Sequence, residues 1–161
     1  MNQEIKKRWI QALTSGDYSQ TQENLRDRTG FCCLGVLCDL YFRDNTESSC
    51  WIVSDDDVIE RDTFYCVTAE GSPRNNHEVL PYPVALWAGL EKQIYPTTVR
   101  NNEEVLACDV VVSAEGLEDT RGIQISSSRS ELKEKNKITL AELNDSQYSF
   151  AALAAIIDKE L

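Results

Sequence analysis

The chain has 161 residues, of which 42% are hydrophobic and 27% are charged, and its formal net charge is −11. The length and the two fractions are typical of one soluble globular domain, whereas the net charge is not ordinary. The charge argues against direct binding to DNA or RNA, because phosphate contacts need clustered Lys and Arg. A strongly acidic protein can instead bind a basic protein partner, or it can imitate a nucleic-acid backbone.

The sequence predicts a cytoplasmic protein that does not enter a membrane. No apolar run reaches the roughly 20 residues that a membrane-spanning helix needs. The polar start, Met1–Glu4, does not resemble a signal peptide. In the cytosol we expect the six cysteines to stay reduced.

The first predicted element is an amphipathic helix over residues 3–14. Apolar side chains recur every four positions at Ile5, Trp9 and Leu13. Asn2 stands where an N-cap is needed, because its side chain can accept a hydrogen bond from the first helical turn.

A polar loop follows at residues 15–30, and ordered loops of this length are often functional. Tyr18 and Leu25 are the side chains that can anchor the loop to a core. Gln20 and Arg26 can bind planar or anionic ligands through several hydrogen bonds.

The most apolar stretch lies within residues 31–42 and predicts a buried central helix. A buried strand is the alternative, since a continuous apolar run shows no distinguishing period. Thr29 or Gly30 is the expected N-cap. Gly35 in a helix interior costs about 1 kcal/mol relative to Ala, which predicts that another element packs closely at this position.

The middle of the chain predicts an antiparallel sheet and a short helix. The helix covers 83–89, with Pro83 in its first turn and Gly89 at its end. The predicted strands are short and rich in β-branched or aromatic residues: 51–53, 63–68, 105–112 and 122–126.

The C-terminal part predicts a helical hairpin that closes the core. Residues 138–145 lead into a turn, and a helix follows over 149–160. Ser149 is a suitable N-cap for this helix. Its apolar residues recur with helical spacing and define one buried face.

Metal and nucleophile chemistry find little support in the sequence. Cys32, Cys33 and Cys38 lack the paired spacing of a zinc site, and His77 is the only histidine. A Cys/His hydrolase would need one of these cysteines outside the apolar helix. The acidic run Asp55–Asp57 lacks the alternating ligands and the Gly of a calcium loop. We therefore assign no metal, no cofactor and no catalytic residue.

Several motifs resemble a family of small proteins encoded by tailed phages and prophages, for which no activity is secure. The motifs are Arg8-Trp9-x2-Ala12-Leu13-x-Ser15-Gly16-x-Tyr18-x-Gln20, Phe31-Cys32-Cys33-Leu34-Gly35-Val36-Leu37-Cys38-Asp39-Leu40-Tyr41, Trp87-Ala88-Gly89-Leu90 and Leu143-Asn144-Asp145-x3-Ser149-Phe150. The resemblance implies a phage origin more firmly than a function. It also implies an added β-hairpin at about 97–137, and a glycine at the position that Gln147 occupies here.

Together these patterns predict a single α+β domain over residues 1–161. Helices 3–14, 83–89 and 149–160 pack around the central helix 31–42, and a small antiparallel sheet lies beside them.

The first functional hypothesis is an accessory protein that acts by binding rather than by catalysis. It would sequester a small anionic, nucleotide-like ligand or block a component of host defence. The predicted ligand pocket consists of Tyr18, Gln20, Arg26, Asn144 and Asp145, with Arg26 holding an anionic group such as a phosphate. Packing of the loop against the C-terminal hairpin is expected to bring Arg26 and Asn144 together. Helix capping and loop anchoring are the structural alternative for these residues.

The sequence is compatible with two other functional hypotheses. An acidic surface could imitate DNA and inhibit a basic host protein, which would make the binding sensitive to salt. A nucleotide hydrolase of unassigned class is the other, although the sequence shows no acid–base pair. The sequence leaves the partner open between a small molecule and a host protein, and it leaves a homo-oligomer open.

Overall fold

The computed structural model describes residues 1–46, 50–53, 64–67, 77–99, 105–117, 132 and 135–161. The helices in these ranges are α1 (Gln3–Thr14), α2 (Cys33–Asp44), α3 (Tyr82–Trp87), α4 (Leu140–Asp145) and α5 (Phe150–Glu160). The strands are β1 (Cys50–Val53), β2 (Phe64–Val67), β3 (Leu80–Pro81), β4 (Ile94–Val99), β5 (Val105–Ser113) and β6 (Lys137–Thr139). The predicted α+β class is confirmed.

Helix α1 has the predicted bounds because its signals are local. The side chain of Asn2 accepts hydrogen bonds from the backbone N–H groups of Glu4, at 2.9 Å, and Ile5, at 3.3 Å. The buried face consists of Ile5, Trp9 and Leu13. The indole Nε1 of Trp9 also donates to the carbonyl oxygen of Cys33 at 2.9 Å, which fixes α1 against the start of α2.

Helix α2 is the central buried helix, as predicted, but it begins two residues later. The thiol of Cys32 is its N-cap and accepts the N–H of Gly35 at 3.3 Å. The prediction that Thr29 or Gly30 is the N-cap of this helix is therefore wrong. The backbone of Phe31 stays extended instead, because its N–H donates to the carbonyl oxygen of Ser19 at 2.9 Å.

Gly35 is the point of closest approach between α2 and the loop. A Cβ atom at this position would overlap the carbonyl oxygen of Leu25. The same carbonyl accepts the N–H of Cys32 at 3.0 Å, and the Leu25 side chain is fully buried. The close packing predicted at Gly35 is therefore confirmed, and Leu25 is an anchor of the loop.

The remaining helices follow their predicted signals closely. Pro83 lies in the first turn of α3, and Gly89 beyond its end has φ +67°. Helix α5 begins after Ser149, whose hydroxyl accepts the N–H of Ala152 at 3.3 Å. It packs against α1, and a capping box at Thr139 starts α4.

Strand β5 is the centre of the main antiparallel sheet. It pairs with β3 at Leu80↔Cys108, with β4 at Ile94↔Val110 and with β6 at Val112↔Ile138. Strand β4 was not predicted, because Pro96 interrupts its pattern. Proline is tolerated there since β4 is an outer strand of the order β3-β5-β4 and its register shifts just after Pro96.

Strands β1 and β2 form a separate antiparallel hairpin with Trp51 opposite Cys66, close to the predicted strands 51–53 and 63–68. The predicted strand 122–126 and the acidic run 55–57 lie outside the described residues.

The buried apolar residues of the described ranges, apart from Ala107 and Leu132, form one continuous cluster between the helices and one face of the sheet. Cys108 and Val110 of β5 belong to it, so this part of the predicted insertion 97–137 is a core strand. That the remainder of this segment is an addition stays a prediction. Among the described helices, none combines the length and apolarity needed to cross a membrane.

Replacing Gly35 by Ala tests the contact with Leu25. We expect Gly35→Ala to lower the free energy of unfolding by about 3 kcal/mol, because the new methyl group meets backbone atoms that cannot move aside. Urea denaturation followed by circular dichroism measures this change. Helix propensity alone predicts the opposite result, a gain of about 1 kcal/mol, and such a gain would contradict the packing described here.

Candidate functional site

Two depressions open where the loop 15–30 meets the C-terminal hairpin. We call the larger one, of about 550 Å³, the amide pocket; it is lined by Gln20, Thr21, Gln22, Asp27, Thr29 and Gln147. The second, of about 320 Å³, is the acidic pocket; it is lined by Glu23, Glu78, Val79, Asp109, Ala141, Glu142 and Asp145.

Asp27 organises the floor of the amide pocket. Its carboxylate accepts the hydroxyl of Thr21 at 2.5 Å and the hydroxyl of Thr29 at 2.6 Å. It also accepts the backbone N–H groups of Thr29, at 2.7 Å, and Gly30, at 3.0 Å. Burial alone would raise the pKa of Asp27, but these hydrogen bonds outweigh it and hold the pKa below its ordinary value.

Asn144 ties the loop to the helices behind the pocket. The side chain is fully buried, and its Nδ2 donates to the carbonyl oxygen of Thr21 at 2.9 Å and to Asp145 at 3.2 Å. Its Oδ1 accepts the amide of Gln20 at 3.0 Å and the backbone N–H of Cys33 at 3.2 Å. Both ends of the amide are thus occupied by protein groups, which makes Asn144 a structural residue.

Gln20 joins the same network and caps α5. Its Nε2 also donates to the carbonyl oxygen of Tyr148 at 2.8 Å, and its Oε1 accepts the N–H of Phe150 at 3.1 Å. Because the side chain spans from the loop to the first turn of α5, it fixes one wall of the amide pocket.

Asp145 connects the two pockets. Its carboxylate accepts the N–H of Glu23 at 2.9 Å, and its backbone carbonyl accepts the amide of Gln22 at 3.1 Å. Glu23 has φ +66°, a left-handed conformation that turns the loop at this contact. The side chain of Asp145 lines the acidic pocket rather than the amide pocket.

Gln147 occupies the turn between α4 and α5 with φ +68°. The turn thus keeps the left-handed shape that a glycine favours, although the glycine expected from the family resemblance is absent. The N–H of Gln147 donates to the carbonyl oxygen of Asn144 at 3.1 Å. Unlike a glycine, it adds an exposed amide side chain to the rim of the amide pocket.

Tyr18 lies in a different cluster, centred on Asp39. Its hydroxyl donates to the Asp39 carboxylate at 2.7 Å, while the guanidinium of Arg43 donates to that hydroxyl at 2.8 Å. The indole of Trp51 donates to the other oxygen of Asp39 at 3.2 Å. Burial and the bond to Asp39 raise the pKa of Tyr18, so the phenol stays protonated at neutral pH.

Arg26 belongs to this second cluster as well. Its Cζ lies 4.8 Å from the ring centroid of Phe31 and 5.5 Å from that of Trp51, which is cation–π geometry. Arg26 and Asn144, which we expected to meet, therefore have different neighbours. The five predicted site residues divide into Gln20, Asn144 and Asp145 on one side and Tyr18 and Arg26 on the other.

Sequence reasoning missed most of the lining of the amide pocket. One signal was present: Asp27 two residues before Thr29 and three before Gly30 is the spacing of a side chain that caps its own turn. Thr21 and Gln22 have no comparable local signal, because only the tertiary fold brings them beside Gln147.

Cys32 and Cys33 of the central stretch, and Cys108 of β5, are buried thiols rather than reactive groups. Burial raises the pKa of Cys32 and of Cys108 to about 12, and raises that of Cys33 well above its ordinary value. They are therefore protonated at neutral pH and are poor nucleophiles. In the described part of the chain, no three His, Cys, Asp or Glu side chains are arranged to hold a metal ion.

Replacing Asn144 tests its structural role. We expect Asn144→Ala to lower the free energy of unfolding by about 3 kcal/mol, because it leaves the buried N–H of Cys33 and the carbonyl of Thr21 without partners. Asn45→Ala is the matched control, since among the described residues the Asn45 amide bonds the last turn of α2 alone. Similar urea midpoints for the two variants would contradict the role assigned to Asn144.

The lowered pKa of Asp27 predicts a pH-dependent contribution to stability. The ionised carboxylate stabilises the fold fully above its unfolded pKa of about 4. This contribution is lost as the pH falls below that value and through the lower pKa of the folded state. Asp27→Asn should therefore be less stable than the wild type at pH 7, with a difference that shrinks below pH about 4. Urea denaturation between pH 3 and 7 measures it; a difference independent of pH would be the contrary result.

Comparisons with known proteins identify a family but no function. No curated protein and no solved structure matches the chain. A family model matches residues 1–161, and it describes a domain of unknown function, DUF8296. Because this match extends over the whole sequence, the chain belongs to the DUF8296 family of domains of unknown function.

Proposed function

We propose that this protein is a phage-encoded accessory protein that binds a small, nucleotide-like molecule in the amide pocket. It acts in the host cytoplasm and sequesters the ligand, in the service of host-defence evasion, without converting it. The observation that carries the proposal is the amide pocket itself, a depression of about 550 Å³ with a polar lining. This volume lies within the range of about 300–1,000 Å³ that is usual for small-molecule sites.

The lining suits a ligand with many hydrogen-bonding groups. Gln147 contributes a primary amide and Gln22 the acceptor end of another, and neither group has a hydrogen-bond partner among the described residues. Gln20 is bonded to protein groups at both ends of its amide. The hydroxyls of Thr21 and Thr29 donate to Asp27, which leaves their oxygens as acceptors. A nucleobase presents donors and acceptors side by side at its edge, and glutamine amides pair with such edges. A hydrocarbon ligand would leave the Gln147 amide and the Gln22 acceptor without partners.

Recognition fits the pocket better than proton transfer does. Asp27 is the only titratable side chain among the described lining residues, and four protein donors already surround its carboxylate. A general base must reach the proton that it abstracts. The same hydrogen bonds hold the pocket in shape before a ligand arrives, which favours affinity.

Introducing a charge at position 147 tests both the location of the site and the nature of the ligand. We expect calorimetry with nucleosides, their 5′-monophosphates and cyclic nucleotides to show saturable binding to the wild type. Gln147→Lys should strengthen the binding of a phosphate-bearing ligand about fivefold and Gln147→Glu should weaken it about fivefold, through one unit charge at the rim. A neutral nucleoside should respond little to either change.

The matched controls are Gln3→Lys and Gln3→Glu, which alter the net charge equally at an exposed position on α1. They should leave all affinities unchanged. Absence of saturable binding by every nucleoside and nucleotide below about 1 mM, or equal effects at positions 3 and 147, would refute the proposal.

A second candidate is an acidic inhibitor of a basic host protein. The acidic pocket supports it, because five carboxylate side chains lie around one depression: Glu23, Glu78, Asp109, Glu142 and Asp145. This function differs from the first in its dependence on salt, since an association of opposite surface charges weakens strongly between low and physiological ionic strength.

A further inference from the structure

The floor of the amide pocket offers a ligand hydrogen-bond acceptors more than donors. Its two hydroxyl protons are already engaged, because Thr21 and Thr29 both donate to the Asp27 carboxylate. The two hydroxyl oxygens lie 3.3 Å apart, so these three side chains form one compact group of oxygens. A hydroxyl oxygen whose proton is engaged can still accept a hydrogen bond from a ligand.

The side chain of Gln22 adds an acceptor whose orientation is fixed. Its Nε2 donates to the backbone carbonyl oxygen of Asp145 at 3.1 Å. Because a carbonyl oxygen can only accept, the amide has to present its nitrogen there, and Oε1 is its free end. This oxygen has no partner among the described residues, and it is not one of the buried side-chain atoms that lack a partner. It is therefore open to a ligand in the pocket that Gln22 lines.

Donors for a ligand lie at the rim instead. The amide of Gln20 is occupied at both ends by protein groups. The amide of Gln147 is exposed and can present either its donor or its acceptor end. The pocket is thus polarised, with acceptors on its floor and an adaptable amide at its rim.

The charges around the floor favour the same kind of ligand. The lowered pKa of Asp27 keeps its carboxylate ionised at neutral pH. The side chain of Asp145 lines the neighbouring acidic pocket together with four other acids, and no lysine or arginine is among the described lining residues of either pocket. A negative potential attracts the positive end of an N–H dipole and repels a carbonyl oxygen.

We propose that the amide pocket selects a nucleobase with an exocyclic amino group, of the adenine or cytosine type, over a base with an oxo group at that position. The amino group donates to Oε1 of Gln22 and faces the hydroxyl oxygens of Thr21 and Thr29. An oxo group would instead place oxygen against oxygen and leave these acceptors without a donor. This preference rests on the function proposed above and names the class of base that the site takes.

Calorimetry with two series of nucleosides tests this preference in the wild-type chain. The purine series is adenosine, purine riboside and inosine, in which the amino group is replaced by hydrogen and then by an oxo group. The pyrimidine series is cytidine and uridine. In each series that binds, we expect the amino member to bind about fivefold tighter than the others, through one added hydrogen bond.

Gln22→Met tests the assigned acceptor, because methionine keeps the length of the side chain and lacks the amide oxygen. It should lower the affinity for the amino member of a series to that of the other members, whose own affinity should stay nearly unchanged. Gln3→Met is the matched control at an exposed glutamine on α1 and should change nothing. Thermal melting of each variant checks that it folds.

The outcomes separate this preference from the function on which it rests. Absence of saturable binding by every nucleoside and nucleotide below about 1 mM would refute the proposed function, and the preference with it. Binding without an advantage for the amino member would overturn the preference alone, as would equal losses for all members of a series in Gln22→Met or an equal effect of Gln3→Met. The comparison in the wild-type chain decides the question even if Gln22→Met does not fold.

Discussion

The buried amide of Asn144 holds together three segments that are distant in sequence. It bonds the polar loop at Gln20 and Thr21, the first turn of α2 at Cys33, and its own helix α4 at Asp145. A buried amide is stable only when its donors and acceptors are all satisfied, so each of these segments fixes the position of the others. The loop therefore has a defined shape although most of its residues are polar.

A second network fixes the other side of the loop. The Asp39 carboxylate gathers Tyr18, Arg43 and Trp51, and Arg26 lies across Phe31 and Trp51. This network joins strand β1 to α2 through Trp51. Both networks thus hold the loop, which supplies most of the lining of the amide pocket: Gln20, Thr21, Gln22, Asp27 and Thr29. A lining that is held in place before a ligand arrives suits recognition, because little conformational entropy is lost on binding.

The net charge of the chain conceals a chemical difference between two neighbouring depressions. Carboxylates surround the acidic pocket, whereas neutral amides and hydroxyls line most of the amide pocket. A net charge of −11 therefore says little about what either of them would accept. Local composition, set by strand register and loop shape, decides the chemistry at each position.

The sequence predicted the helices well because each one carries local signals. Asn2, Ser149, Pro83 and Gly89 mark helix ends without reference to the rest of the fold. The start of α2 was misplaced because a cysteine thiol, an unusual cap, took the role expected of Thr29 or Gly30. The pockets could not be predicted in the same way, since they depend on contacts such as Gln20 with Phe150 that no local pattern encodes.

The network at Asn144 also sets an order of events during synthesis on the ribosome. Cys33 and Asn144 are separated by 111 positions, and Gln20 and Phe150 by 130. Until the residues after about 140 have left the exit tunnel, α2 lacks the amide that bonds its first turn, and α1 lacks the α5 surface on which it packs. The central helix must therefore wait, exposed or loosely collapsed, for the C-terminal hairpin. Folding limited by such distant contacts is slow compared with that of proteins built from local contacts, and the nascent chain is most prone to aggregation during this interval.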